Sequence, residues 1–84
     1  MPVVFVIILS HNFRMANSTV ENIKNNIKKY RIARGLTQEK LAELCDISPD
    51  YISEIERGRK IPSLKRLIII AEQLNVTLGD LEKN

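Results

Sequence analysis

Ser48, Pro49, Asp50, Ser53 and Glu54 lie within seven consecutive positions, around Ile52 and Ile55. On a helix whose inner face carries those two isoleucines, the polar side chains share the opposite face. Their chemistry is that of recognition. A serine hydroxyl bonds donors or acceptors alike, a carboxylate accepts from an amino group such as that of cytosine, and a proline ring offers apolar contact to a methyl group such as that of thymine. Just beyond them come Arg59, Lys60, Lys65 and Arg66, cations placed to meet phosphates, and the Tyr51 hydroxyl can also bond a phosphate. An acidic face that meets a polyanion needs such flanking charges.

Reaction chemistry has much less to work with. The chain has one histidine, His11, and one cysteine, Cys45, far apart in sequence, so the clustered ligands of a metal site are lacking and no metal is expected. No nucleophile–base pairing and no glycine-rich phosphate loop can be read from the sequence. Neither an enzyme nor a cofactor is expected.

The 84 residues leave room for one small core. A net charge of +3 favours a polyanionic partner without identifying it. Cys45 falls in an apolar periodic stretch, where a free thiol packs as a small hydrophobe, and a reducing, cytoplasmic setting fits best. The one long apolar run, Val3 to Leu9, is much shorter than the ~20 residues needed to span a bilayer. As a secretion signal it lacks preceding cations and a following small-residue cleavage site. It also lacks the basic amphipathic character of a membrane-surface anchor, so no membrane partner is expected.

The elements that must position the polar face follow from periodicity and caps. Residues 1–17 read as an appendage, and residues 18–84 as the folded domain. Val3 to Leu9 has the composition of a strand buried on both faces, which must find backbone partners. Pairing with the same segment of a second chain would supply them; the alternative is that Met15 is the natural start and the leader is an upstream extension. Helix one is expected from a Ser18/Glu21 capping box, with Val20, Ile23, Ile27 and Tyr30 inward and Gly35 as its stop. Thr37 caps helix two, which buries Leu41, Ala42, Leu44 and Cys45. Ser48 caps helix three, with Pro49 in its first turn and Gly58 beyond its end. Ser63 caps helix four, with Leu64, Leu67, Ile68, Ala71 and Leu74 as its core stripe. Thr77 opens a last short helix carrying Leu78 and Leu81. The fold class is all-α.

Leu36, Thr37, Gln38, Leu41 and Ala42, followed by Ile52, Ser53, Ile55, Glu56 and Gly58, closely resemble the core motif of the lambda-repressor/Cro-like, or XRE, helix-turn-helix transcription regulators. The resemblance covers about residues 22–82. It implies a five-helix DNA-binding domain that acts as a symmetric dimer. It implies base reading by Ser48, Pro49, Asp50, Ser53 and Glu54, with dipole stabilisation in the first helical turn as the alternative for Asp50. It further implies that Gln38 binds phosphate and that Arg31 and Glu56 form a buried structural ion pair, which keeps both out of the site. One departure is Asp46, at the turn position most often held by glycine; aspartate tolerates the left-handed region better than most residues.

The expectation is a sequence-specific regulator of transcription, binding double-stranded DNA as a homodimer on a palindromic operator. The rival is an antitoxin-type protein that mainly holds a protein partner, with residues 1–17 as the holding segment.

Overall fold

The computed structural model describes residues 13–84, with side-chain surroundings from Ser18 onward. Among these residues there are five helices and no strand: α1 (Phe13–Ala33), α2 (Gln38–Cys45), α3 (Pro49–Glu56), α4 (Leu64–Leu74) and α5 (Leu78–Glu82). The all-α, five-helix expectation holds. The anticipated leader strand at Val3 to Leu9, with its pairing between chains, and His11 lie outside the described residues.

Local chemistry explains the boundaries. The Thr37 hydroxyl accepts from the Lys40 amide at 3.0 Å, Ser48 from Tyr51 at 3.1 Å and Ser63 from Arg66 at 3.2 Å, each satisfying an amide that the first turn leaves without a helical partner. Thr77 and Asp80 close a reciprocal capping box on α5, and this holds the Asp80 carboxyl below its ordinary pKa, chiefly through the bond from the Thr77 backbone amide. At their ends, α2 and α4 turn through Asp46 (φ 57°) and Asn75 (φ 59°), both left-handed.

Two expectations about packing need correction, and a third about α1. α1 starts at Phe13, so Ser18 and Glu21 lie inside it and form no capping box; Glu21 instead pairs with Lys24 at 2.9 Å. Leu44, Leu64 and Ile68 were expected in the core, yet they remain 41, 38 and 40% exposed. The buried arc of α4 is carried by Leu67, Ile70, Ala71 and Leu74, and that of α2 by Leu41, Ala42 and Cys45. Each helix has more apolar residues than its buried arc accommodates. The core forms around Ile27, Leu41, Ile52, Ile55, Ile70, Leu74 and Leu81, all fully buried.

The last helix is tied down by a pair of asparagines four residues apart on α1. Asn26 Nδ2 donates to the carbonyls of Leu81 (2.8 Å) and Lys83 (2.6 Å), and Asn22 Nδ2 to that of Glu82 (3.1 Å). These are the carbonyls that a helix end leaves without backbone donors. The long α1 therefore grips α5 by its C-terminus while its own C-terminal half meets α3.

Candidate nucleic-acid interface

Three residues separate α2 from α3. Asp46 adopts φ 57°, ψ 47°, and the Ile47 amide returns to the Ala42 carbonyl at 3.0 Å, closing the end of α2. Ser48 then caps α3 in an extended conformation with Pro49 in the first turn, where its missing amide hydrogen is not needed. With Ile52, Ile55 and Glu56 buried beneath, α3 leaves Ser48, Pro49 and Asp50 exposed at its N-terminus and Ser53 and Glu54 half-buried along its flank. A helix N-terminus presenting polar side chains on an exposed tip is the geometry that enters a major groove.

The cations are organised by an aromatic ring. The Arg66 guanidinium lies 4.9 Å and the Lys60 ammonium 5.6 Å from the centre of the Tyr51 ring. The loop that delivers Lys60 is held by one acceptor: the Glu54 carbonyl receives the amides of Arg59 (2.8 Å) and Lys60 (3.3 Å). Gly58 makes the turn possible at φ 78°, and a Cβ there would also stand 3.1 Å from the Lys24 side chain. Arg59, Lys60, Lys65 and Arg66 are all exposed. Lys65 is one residue from Arg66, hence about 100° round α4.

Beneath the exposed face sits the ion pair. Arg31 Nε donates to Glu56 Oε2 at 2.7 Å and Nη2 to Oε1 at 3.0 Å, while Nη1 reaches the Leu36 carbonyl at 2.8 Å. The side chains are 11 and 2% exposed. Gln38 joins this group: its Nε2 donates to Glu56 Oε1 at 3.0 Å. Three elements, α1, α2 and α3, thus meet on one carboxylate, and the Gln38 side chain is anchored from below at the exposed start of α2.

Ser48, Pro49, Asp50, Ser53 and Glu54 share one surface with Tyr51, Arg59, Lys60 and Arg66 next to it. Sequence reasoning missed three features. Tyr51 gathers two cations as well as presenting a hydroxyl. Arg57 donates to Glu54 at 3.3 Å, reducing the negative charge along the flank of α3, a pairing whose signal was the three-residue spacing. Gln38 bonds the structural carboxylate. Cys45 is buried, and desolvation pushes its thiol up to about 11. Among the described residues no three His, Cys, Asp or Glu side chains gather to hold a metal, and no helix is long and apolar enough to cross a membrane.

Residues 27–81 match the family described as Helix-turn-helix, HTH_3. The control protein C.SmaI of Serratia marcescens is 36% identical over 61 residues, 73% of this chain and 73% of that protein. The crystal structure of the restriction-modification controller protein C.AhdI from Aeromonas hydrophila aligns with a TM-score of 0.70 and 29% identity, over 74% of this chain and 94% of that one. The controller protein C.Esp1396I, solved as a tetramer in complex with its natural 35-base-pair operator, aligns with a TM-score of 0.67 and 30% identity, over 77% of this chain and 96% of that one.

Proposed function

As the chain belongs to the helix-turn-helix family HTH_3, we propose that it is a transcription regulator that binds double-stranded DNA as a dimer on a two-fold-related operator. The observation that carries this reading is the pairing of an exposed, Ser48-capped α3 tip with the cation cluster on Tyr51. α3 lies in the major groove, where Ser48, Asp50, Ser53 and Glu54 bond base edges and Pro49 touches a methyl group. α2 crosses the backbone. Its first amides and the second N–H of Gln38 face one phosphate, while Arg59, Lys60, Arg66 and the Tyr51 hydroxyl hold another. Those contacts set register and affinity, and α3 sets sequence choice.

Similarity to controller proteins that include one solved on its operator supports this class of function. Selection of bound sequences from a random DNA pool tests it: two inverted copies of one half-site, about 10–10.5 base pairs centre to centre, are expected. Recovery of no consensus, with binding equal on all duplexes, would refute specific readout.

A further inference from the structure

Arg57 is exposed, and it stands three residues after Glu54 and seven after Asp50. It therefore continues the outer line of α3, opposite the buried Ile52, Ile55 and Glu56. Its backbone is fixed at the end of the helix: φ is −86° and ψ −2°, its amide donates to the Ser53 carbonyl at 3.0 Å, and the Gly58 amide donates to that of Ile55 at 3.0 Å. The preceding residue, Glu56, is held by Arg31 and Gln38. From this anchored position the Arg57 guanidinium reaches Glu54 Oε1 at 3.3 Å, the two side chains being 54 and 28% exposed.

The pairing answers an electrostatic problem. Asp50 and Glu54 share the outer line of α3, and both meet the field of the phosphates when that helix enters a major groove. Asp50 sits in the first turn, where the positive end of the helix dipole favours a carboxylate. Glu54 sits in the last turn, where the dipole has the opposite sign, so its charge needs a cation beside it. Arg57 supplies that cation, and a cation is itself favoured at a helix C-terminus. The bond also fixes geometry: it commits Oε1, while among the described residues Oε2 has no hydrogen-bond partner. The Glu54 carbonyl meanwhile holds the amides of Arg59 and Lys60. One residue thus ties down the cation loop through its backbone and keeps one carboxylate oxygen free for the groove. An exposed pair of this kind is weak in water, and exclusion of water from the groove strengthens it.

We infer that Arg57 is the positioning residue for the base contact of Glu54: it holds one carboxylate oxygen so that the other accepts from a cytosine amino group in the major groove. The inference rests on the reading helix proposed above and adds to it a specificity-determining residue that acts through Glu54. It separates Arg57 from its neighbours Arg59 and Lys60, which meet phosphates.

Titration of the full chain on its selected duplex, and on duplexes changed at the base pair where Glu54→Ala relaxes preference, tests this. Arg57→Met should lower the preference for cytosine at that position about fivefold, the upper range for an exposed pair. The slope of log affinity against log salt and the circular dichroism should stay those of the parent. Arg57→Lys, which keeps the cation and loses the planar fork, should recover part of the preference. In Glu54→Ala nothing is left to position, so adding Arg57→Met should change preference no further. An arginine that met a phosphate would instead weaken all duplexes alike and lower the slope by about 0.9 per contact when removed. Unchanged preference in Arg57→Met, with or without such a fall in slope, overturns the inference, as does an equal loss of preference in the presence and absence of Glu54. A parent that selects a consensus which Glu54→Ala leaves unaltered overturns it too, and leaves the other reading residues standing. A parent that selects no consensus removes the proposed readout as a whole.

Discussion

Glu56→Gln is the substitution whose consequence the structure defines best. The change keeps the shape of the side chain and removes its charge. In the parent, Oε1 and Oε2 accept two bonds from Arg31 and one from Gln38, and the carboxylate is 2% exposed. In the variant one carboxylate oxygen becomes an NH2 group facing donors, and the Arg31 guanidinium stays at 11% exposure with no counter-charge. Breaking a buried pair from one side costs about 3–5 kcal/mol. At about 0.05–0.15 kcal/mol per residue, a chain of 84 residues has roughly 4–13 kcal/mol in total. Loss of this one charge therefore removes a large fraction of the stability. Urea unfolding followed by circular dichroism measures it, with the midpoint expected to fall and the slope to persist. Arg31→Met should cost a similar amount, yet Arg31→Met/Glu56→Met should cost far less than the sum, because no charge is left stranded. A loss under about 1 kcal/mol for Glu56→Gln, the range of an exposed pair, or strict additivity in the double variant, would refute the reasoning.

Further outcomes follow from the site and the core. Arg59→Ala/Lys60→Ala removes four phosphate contacts per dimer, so the slope of log affinity against log salt should fall by about 0.9 per contact, roughly 3.6 in all, while the selected sequence stays the same; an unchanged slope in the folded variant removes these residues from the phosphate site. Ser53→Ala or Glu54→Ala should change preference at one base position per half-site by about 1–3 kcal/mol with little change in melting temperature, read by repeating the selection. Cys45, with its thiol at about 11, should react with a disulfide reagent at pH 8 only as fast as the domain opens, and a rate independent of urea below the transition would count against that burial. Because the Asp80 pKa is lowered on folding, its contribution is present above the ordinary carboxylate value of about 3.9 and is lost as pH falls through the lower native value. The protection of the Leu81 amide, which bonds the Thr77 carbonyl, measured as its exchange rate relative to the unfolded chain at the same pH, should accordingly fall at low pH in the parent and be reduced across the whole pH range in Asp80→Ala.

The caps and stops were the most legible features, because each rests on chemistry within three or four residues. Thr37, Ser48, Ser63 and Thr77 all begin their helices where a hydroxyl can reach an amide of the first turn. The amphipathic stripes were less legible. Leu64 and Ile68 carry the side chains of a core, and only the arrangement of the other helices decides that Ile70 is buried while they are half exposed. The start of α1 was misplaced because Ser18 and Glu21 have the form of a capping box wherever they occur, and the helical residues before them offered no competing signal. In the candidate site, the residue types on α3 could be read directly. The stacking of Lys60 and Arg66 on Tyr51 could not, since those contacts join a helix, a loop and the next helix through packing alone.

The rotation of α4 connects these features. Its core side holds Leu67, Ile70, Ala71 and Leu74; about 100° from Lys65, Arg66 lies against Tyr51; and the remaining side carries Ile68 between Lys65 and Glu72. A helix of 11 residues clamped by Ser63 at one end and Asn75 at the other cannot turn one face without turning the others. In the proposed dimer, copies that meet through folded helices hold the two-fold axis at a fixed position relative to the tip of α3. Adjacent major grooves on one side of a duplex recur about every 34–36 Å, so the two α3 tips must match that repeat with little freedom in the linkage between them. A dimer joined through a pliable segment would tolerate half-sites at several spacings. A dimer joined through folded helices should accept one spacing and lose affinity sharply when a single base pair is inserted between half-sites, because that rotates one half-site away from its reading helix as well as moving it.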